Sequence, residues 1–436
     1  MTDLDLALRF FLQLAVILCT CRAVGWVGQR FLGQTQVVSE MLAGVMLGPS
    51  LFGLLLPDAQ TWLFPVTATV ETAAGSAEIR HPSMSILYVA SQLGLVLYMF
   101  LVGLELDVKL LKERGRGALA VSLAGILAPF VLGGLLAFPL LGTGRAFEEG
   151  VSVWAGALFM GAAMCITAFP MLARIIYECG IAKTSMGTLA LSAAAFNDAS
   201  AWCMLAVVLS AVKGSAAIAV LAIGGGAAFV VLLLAVRPLL GGLSAWTDRE
   251  GGVTMPILVT TFALLLLGAW TTDVIGIYAI FGAFAVGVAM PRGRFAEQVQ
   301  EKCGDLTTGL LLPMFFVYSG LNTKVTLLND PVLWLLTGAV VLVAILGKGL
   351  GCAIAARLSG ERWRESLMIG TLMNARGLIE LIILNIGLQQ GVITPTLYTM
   401  MVIMAIVTTV MASPIFNWMY WGSALPKARP APEAVP

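Results

Sequence analysis

The chain has 436 residues, 59% of them hydrophobic and only 11% charged, with 25 Lys and Arg against 24 Asp and Glu, and its mean hydropathy is +0.95. A soluble domain carries about 25% charged residues, so this composition excludes an ordinary water-facing surface and makes the lipid bilayer the solvent. Near-balanced charge without a basic run gives no basis for a nucleic-acid partner. The seven cysteines are scattered without metal-ligand spacing and read as small membrane residues.

A crossing helix needs roughly 20 apolar residues. Candidate stretches in chain order are 7–29, 36–56, 85–106, 117–141, 151–177, 185–211, 215–236, 253–270, 274–290, 305–321, 331–357, 366–389 and 395–421. The expected fold is therefore an all-α membrane protein of about 13 transmembrane helices. The membrane domain occupies 1–422, and 423–436 form a short cytoplasmic tail rich in Pro and Ala. The opening Met1-Thr2-Asp3 lacks the basic region of a signal peptide, so the first stretch is expected to be a retained span. With the N-terminus outside, Arg30, Lys109, Arg174, Arg237, Arg292 and Arg357 fall in cytoplasmic connections, and the opposite side keeps only Arg9, Arg80, Arg145, Lys213 and Lys324. One span more or fewer in the middle would scramble this segregation, so an odd count and a cytoplasmic C-terminus are expected, in the plasma or inner membrane of a cell.

Charged residues inside the spans carry the functional signal, because each costs several kcal/mol unless paired or wetted. Glu40 and Glu105 lie towards the cytoplasmic ends of spans two and three, where snorkelling is the simpler account. In span five, Pro170 is expected to free the carbonyl of Ile166 four residues back. With the Thr167 hydroxyl this would supply neutral oxygens, although a plain proline kink explains the motif as well. In span six, Asn197-Asp198 sit among Ala193, Ala194, Ala195, Ala199 and Ala201. Asp198 falls about 20 Å from the start at Ser185 by helical rise, which is near mid-bilayer. A carboxylate there offers two oxygens and a compensating charge to a dehydrated monovalent cation, and it can bind a proton instead. One site that takes either is the smallest machine for antiport; a protonated Asp acting as interhelical glue is the bland alternative. Lys348, between Gly347 and Gly349 in span eleven, is the counter-charge, either structural or coupling. Arg376 and Glu380 in span twelve are four apart on one helical face and neutralise each other, while Asn374 and Gly377 weaken the helix around them. His81 receives no role.

Span three ends Gly103-Leu104 with Val108 four residues on, and span ten ends Gly320-Leu321 with Val325 likewise. Seven spans separate the two, so the copies point opposite ways, as in the inverted repeats of many secondary transporters. The same offset pairs span five with span twelve.

Three motifs in order, Ile166-Thr167-Ala168-Phe169-Pro170, then Phe196-Asn197-Asp198-Ala199-Ser200-Ala201-Trp202, then Arg376-Gly377-Leu378-Ile379-Glu380, resemble the monovalent cation:proton antiporter superfamily. Residues 39–50 and 100–107 match as well. The likeness is nearest to Kef-type exchangers and plant cation/H+ exchangers of the CHX type. It implies a homodimer, with dimerisation and core subdomains interleaved in sequence and two discontinuous helices, spans five and twelve, crossing beside Asp198. Relatives often carry two adjacent acids where this chain has Asn197-Asp198, so Lys348 lacks the expected partner carboxylate. The function expected is exchange of K+ or Na+ for H+, electroneutral, with Asp198 as the metal-cation and proton site. The alternatives are a cation channel or facilitated pathway, or a proton-coupled carrier for an organic solute. No catalytic triad, metal cluster or phosphate loop supports an enzyme, and no cofactor is implied.

Overall fold

The structure is a computed structural model. It describes residues 2–32, 34, 36–72, 75–105, 115–169, 172, 175–176, 179, 181, 184–212, 216–275 and 278–421; some side chains within these ranges, that of Asp198 among them, lie outside the description. The helices in chain order are α1 (Asp3–Leu32), α2 (Gln36–Leu47), α3 (Phe52–Leu55), α4 (Pro57–Leu63), α5 (Pro82–Glu105), α6 (Gly115–Gly142), α7 (Val153–Cys165), α8 (Ser185–Val212) and α9 (Ala216–Arg249). There follow α10 (Met255–Ile275), α11 (Ala279–Ala289), α12 (Arg294–Leu306), α13 (Leu312–Leu321), α14 (Pro331–Ala344), α15 (Gly351–Leu358), α16 (Trp363–Met373), α17 (Leu378–Gln389) and α18 (Pro395–Trp421). Among the described residues nine helices are long and apolar enough to cross a membrane. Four shorter apolar helices, Val153–Cys165, Ser185–Ala194, Ala279–Ala289 and Glu380–Gln389, stand where spans five, six, nine and twelve are expected. The protein is a nearly all-helical, multi-pass membrane protein.

Three elements depart from the sequence reading. The connection after α4 carries an antiparallel hairpin, β1 (Thr67–Thr72) with β2 (Gly75–Arg80), in register Thr67↔Arg80 to Thr72↔Gly75. Alternating Thr, Val and Ile suit a pleated strand, and the segment is too short to show that period beside long helices. The connection before span ten is itself a helix, α12, which buries Phe295, Val299 and Cys303 at a four-residue spacing while Glu297, Glu301 and Lys302 take other faces. Glu40 does not snorkel. It is buried at the α1–α2 contact, where Gln36 Nε2 donates to its Oε1 at 2.9 Å. Gly25 and Gly28 of α1 bring α1 against Gln36 and Ser39 of α2, and Glu40 lines a cavity there with Arg22 and Gln29.

Two packing groups result. In one, α2 lies against α13 and α5 against α11 and α13; in the other, α6 lies against α7, α8 and α15, and α16, α17 and α18 pack together. The first group shows the inverted repeat at single residues. Gly44 of α2 meets the backbone at Phe316 and Gly320 of α13; Gly103 of α5 meets the backbone at Phe284 and Gly287 of α11. A Cβ at any of these four glycines would overlap backbone. The contacts join spans two and ten, and spans nine and three, so an offset of seven spans turns one into the other.

One helix in each group changes winding. Residues 307–311 and 345–350 form π-helical turns, the second carrying Lys348. Gly347 and Gly351 set that turn against Pro129, Ala124 and Ala128 of α6, and Gly349 sets it against Gly370 and Asn374 of span twelve. Both flanking glycines thus admit a helix, and Lys348 is fully buried between them.

Candidate ion-binding site

Both helices expected to be discontinuous are. Helix α7 stops at Cys165, where Ile166 turns extended (φ −75°, ψ 140°), and α16 stops at Met373 before α17 restarts beyond Gly377. The two breaks touch: Ala168 N donates to the Ala375 carbonyl at 3.1 Å, and Thr167 Oγ1 reaches the Met373 carbonyl at 3.5 Å. Thr409 of α18 closes the second break from behind. Its Oγ1 accepts from Arg376 N and lies 2.9 Å from the Arg376 carbonyl.

A helix that ends inside the protein leaves its last carbonyls unpaired and bears a partial negative charge there. The partners for α7 come from three other segments. Arg376 Nη2 donates to the Met164 carbonyl at 2.7 Å and Nη1 to that of Ala163 at 3.4 Å. Lys348 Nζ donates to the Cys165 carbonyl, and Asn197 Nδ2 shares the same oxygen at 3.2 Å. Asn197 Oδ1 then accepts from Thr167 N at 2.9 Å, the first free donor beyond the helix end. Arg376 Nη1 also pairs with Glu380 Oε1 at 3.1 Å, with both side chains fully buried.

This arrangement shows how the end of α7 is held and where Lys348 finds a partner. The helix ends before Ile166, so the carbonyls released are those of Ala163, Met164 and Cys165, and protein donors already hold them. Ile166 is extended just beyond the helix end, and Pro170 lies outside the described residues. Lys348, deprived of the neighbouring acid by Asn197, takes a backbone carbonyl instead, and the asparagine takes that carbonyl with it. The pairing of Arg376 with Glu380 is as the spacing predicts.

Asp198 follows Asn197 on the unbroken α8, one position from the amide that bridges the break; its side chain lies outside the described residues, as does that of Arg174. The described charges around the crossing are Lys348, Arg376 and Glu380, a net of one positive, which one carboxylate would balance. Among the described residues three buried polar atoms here, Asn374 Oδ1, Arg376 Nε and Glu380 Oε2, have no hydrogen-bond partner. In hydrocarbon such irregular, incompletely paired backbone and side chains persist only where they line a cavity or are buried in protein. Sequence reasoning missed Thr409 and the hold of Arg376 on α7. The adjacent Thr408-Thr409 pair was the available signal.

The profile of the family described as "Sodium/hydrogen exchanger, transmembrane" matches residues 2–421. The chain is 38% identical over 421 residues to the Na(+)/H(+) antiporter NhaS4 of Synechocystis, covering 96% of this chain and 98% of that protein. It is also 38% identical to Cation/H(+) antiporter 17 of Arabidopsis thaliana and 30% identical to K(+)/H(+) antiporter 1 of Saccharomyces cerevisiae, and it spans about half the length of each, 49% and 46%. The solved sodium proton antiporter MjNhaP1 of Methanocaldococcus jannaschii shares the fold, with a TM-score of 0.60 at 15% identity over 96% of this chain and 97% of that one. The chain belongs to the sodium/hydrogen exchanger family of membrane cation/proton antiporters.

Proposed function

We propose that the protein exchanges a monovalent cation, K+ or Na+, for a proton, and that the two compete for Asp198. The observation that carries this reading is the crossing of two interrupted helices at Asn197, with a net positive charge that one carboxylate balances. A proton or a monovalent cation on Asp198 leaves the site with the same total charge, so the cycle is electroneutral while Lys348 keeps its proton. The names of the relatives, two with Na+ or K+ and one with an unspecified cation, favour cation exchange without choosing the ion. In the same reading the chain makes thirteen crossings of the plasma or inner membrane, with the N-terminus outside and the basic connections in the cytoplasm. The group containing α6–α8 and α14–α18 is the moving core, and the glycine-packed group forms the dimerisation side of a homodimer embedded in lipid.

The test is a proton-flux measurement in vesicles. Added K+ or Na+ should drive protons out through the purified protein, and a solid-supported membrane should register no transport current. A cation current without proton movement would replace exchange with a channel. Proton flux that needs an organic solute would replace it with a carrier.

A further inference from the structure

At the end of the molecule bearing the hairpin, a small cavity of about 40 Å³ lies between the two packing groups. Its polar lining is Tyr88, Gln92, Tyr278, Tyr318, Asn385 and Gln389, with no charged side chain among the residues that line it. Room of this size holds about one to three water-sized species. Below it, α17 is tied to α13 and α18 by hydrogen bonds whose directions can be assigned. Tyr398 OH donates to the Ser319 carbonyl at 3.0 Å. Its hydroxyl proton is thereby used, so in the 2.8 Å contact between Ser319 Oγ and Tyr398 the serine is the donor. Ser319 Oγ then accepts from Asn385 Nδ2 at 3.1 Å, and the other Nδ2 proton goes to the Leu381 carbonyl at 2.8 Å. Both donors of the Asn385 amide are spent. Its Oδ1 is left with one long contact, 3.5 Å from Asn322 Nδ2.

A second feature lies at the mouth. Tyr278 has φ 77°, and among the described residues it is the one residue other than glycine with a positive φ. Such strain persists where the surroundings over-determine it and clusters at functional sites. Here Thr272 Oγ1 donates to the Tyr278 carbonyl at 3.1 Å, and Asp273 Oδ1 accepts from Ala279 N at 3.3 Å. The strained turn places the Tyr278 ring in the lining, while the Asp273 carboxylate holds Ala279 N outside it.

We propose that this cavity is a binding vestibule for one partly dehydrated monovalent cation, with Asn385 Oδ1 as its inner ligand and the Ser319–Tyr398 pair fixing the amide so that its oxygen faces the ion. Neutral oxygens and aromatic faces suit a singly charged, weakly hydrated ion; without a carboxylate among the lining residues, a divalent ion would lose more hydration than it regains. The vestibule rests on the antiport reading for its purpose, as a waiting site on one side of the exchange path, but it can be tested without transport.

Gln92→Cys places a half-buried thiol in the lining. Its labelling by a membrane-impermeant maleimide in proteoliposomes is measured against the unsubstituted protein as background. Rising K+ or Na+, with N-methylglucamine keeping ionic strength constant, should slow labelling saturably. Asn385→Leu should weaken that protection about fivefold, the loss expected for one neutral oxygen contact. If that variant does not fold, Ser319→Ala, which frees the amide to turn, should weaken protection in the same direction. Protection no greater than with N-methylglucamine alone, or unchanged by these substitutions, overturns the proposal. Proton flux on the same vesicles reads the antiport separately, so intact protection without flux would remove that reading and leave the vestibule standing.

Discussion

Both packing groups use glycines to bring helices together in hydrocarbon, and one of them adds charge. Around α2, α5, α11 and α13 the solution is absence: Gly44, Gly103, Gly287 and Gly320 leave backbone against backbone, as small residues do at membrane helix contacts. Around α7, α16 and α17 the solution is charge: Lys348, Arg376 and Asn197 hold the carbonyls that a broken helix cannot pair. The first kind of contact has one geometry and resists change. The second is built from side chains that a cation or a proton could rearrange. Inverted repetition supplies both, and the candidate exchange site lies in the group with broken helices.

Substitutions should separate the two solutions. The largest expected effect is at the charged crossing. Arg376→Met leaves Glu380 buried without its partner and two α7 carbonyls unpaired, and breaking such a pair costs about 3–5 kcal/mol. The detergent melting temperature should drop steeply, and the double variant Arg376→Met with Glu380→Gln should recover part of the loss. A double variant no better than the single would mean that Glu380 is satisfied by something other than Arg376. Next comes Gly103→Ala, in the glycine-packed group at the end of α5 away from the vestibule. Backbone overlap here should cost about 1–3 kcal/mol and lower yield, while protein that folds keeps its cation affinity. A changed affinity would show that this group is not a passive scaffold.

Lys348→Gln comes third. The amide can still donate to the Cys165 carbonyl, so the loss of stability should be about 1–3 kcal/mol, with activity displaced to higher pH because a positive charge has left the proton's competitor site. Unchanged melting and an unchanged pH profile would place Lys348 outside the exchange. The smallest effect belongs to the hairpin end. His81 Nδ1 accepts from Ser83 N at the start of α5, and burial, then the charge of Arg9, lowers its imidazole below the ordinary value. The unfolded chain takes up a proton near pH 6.5, so this contribution is complete above that pH and is lost as pH falls below it. His81→Asn, which can still cap the helix, should flatten a slight fall in melting temperature between about pH 6.5 and 5.

What the sequence disclosed follows from how far each interaction reaches. The broken helices were legible because Asn374 and Gly377 sit in local positions that weaken a helix, and the Arg376–Glu380 pair because four residues is one helical turn. The inverted glycine contacts were half legible: the short Gly-Leu repeat flagged Gly103 and Gly320, but their partners Gly287 and Gly44 lie in other spans. The first break falls at Ile166, the residue that Pro170 marks in the sequence, and donors from spans six, eleven and twelve hold the end of α7 at Cys165. The hold of Arg376 on that helix spans 212 residues to Met164, and no local pattern announces it. The hairpin and the amphipathic α12 escape span-length apolar windows, which pass over short or half-polar elements.

Asp198 is the center of the functional reading, and its charge can be removed with little change of shape. Purified Asp198→Asn, reconstituted beside the unsubstituted protein, should keep its melting temperature and gel-filtration profile. On addition of K+ or Na+ it should release no protons above empty liposomes, while the unsubstituted protein does so readily. Substantial cation-driven proton release from well-folded Asp198→Asn would contradict the account and move the exchanging site to another group in the crossing.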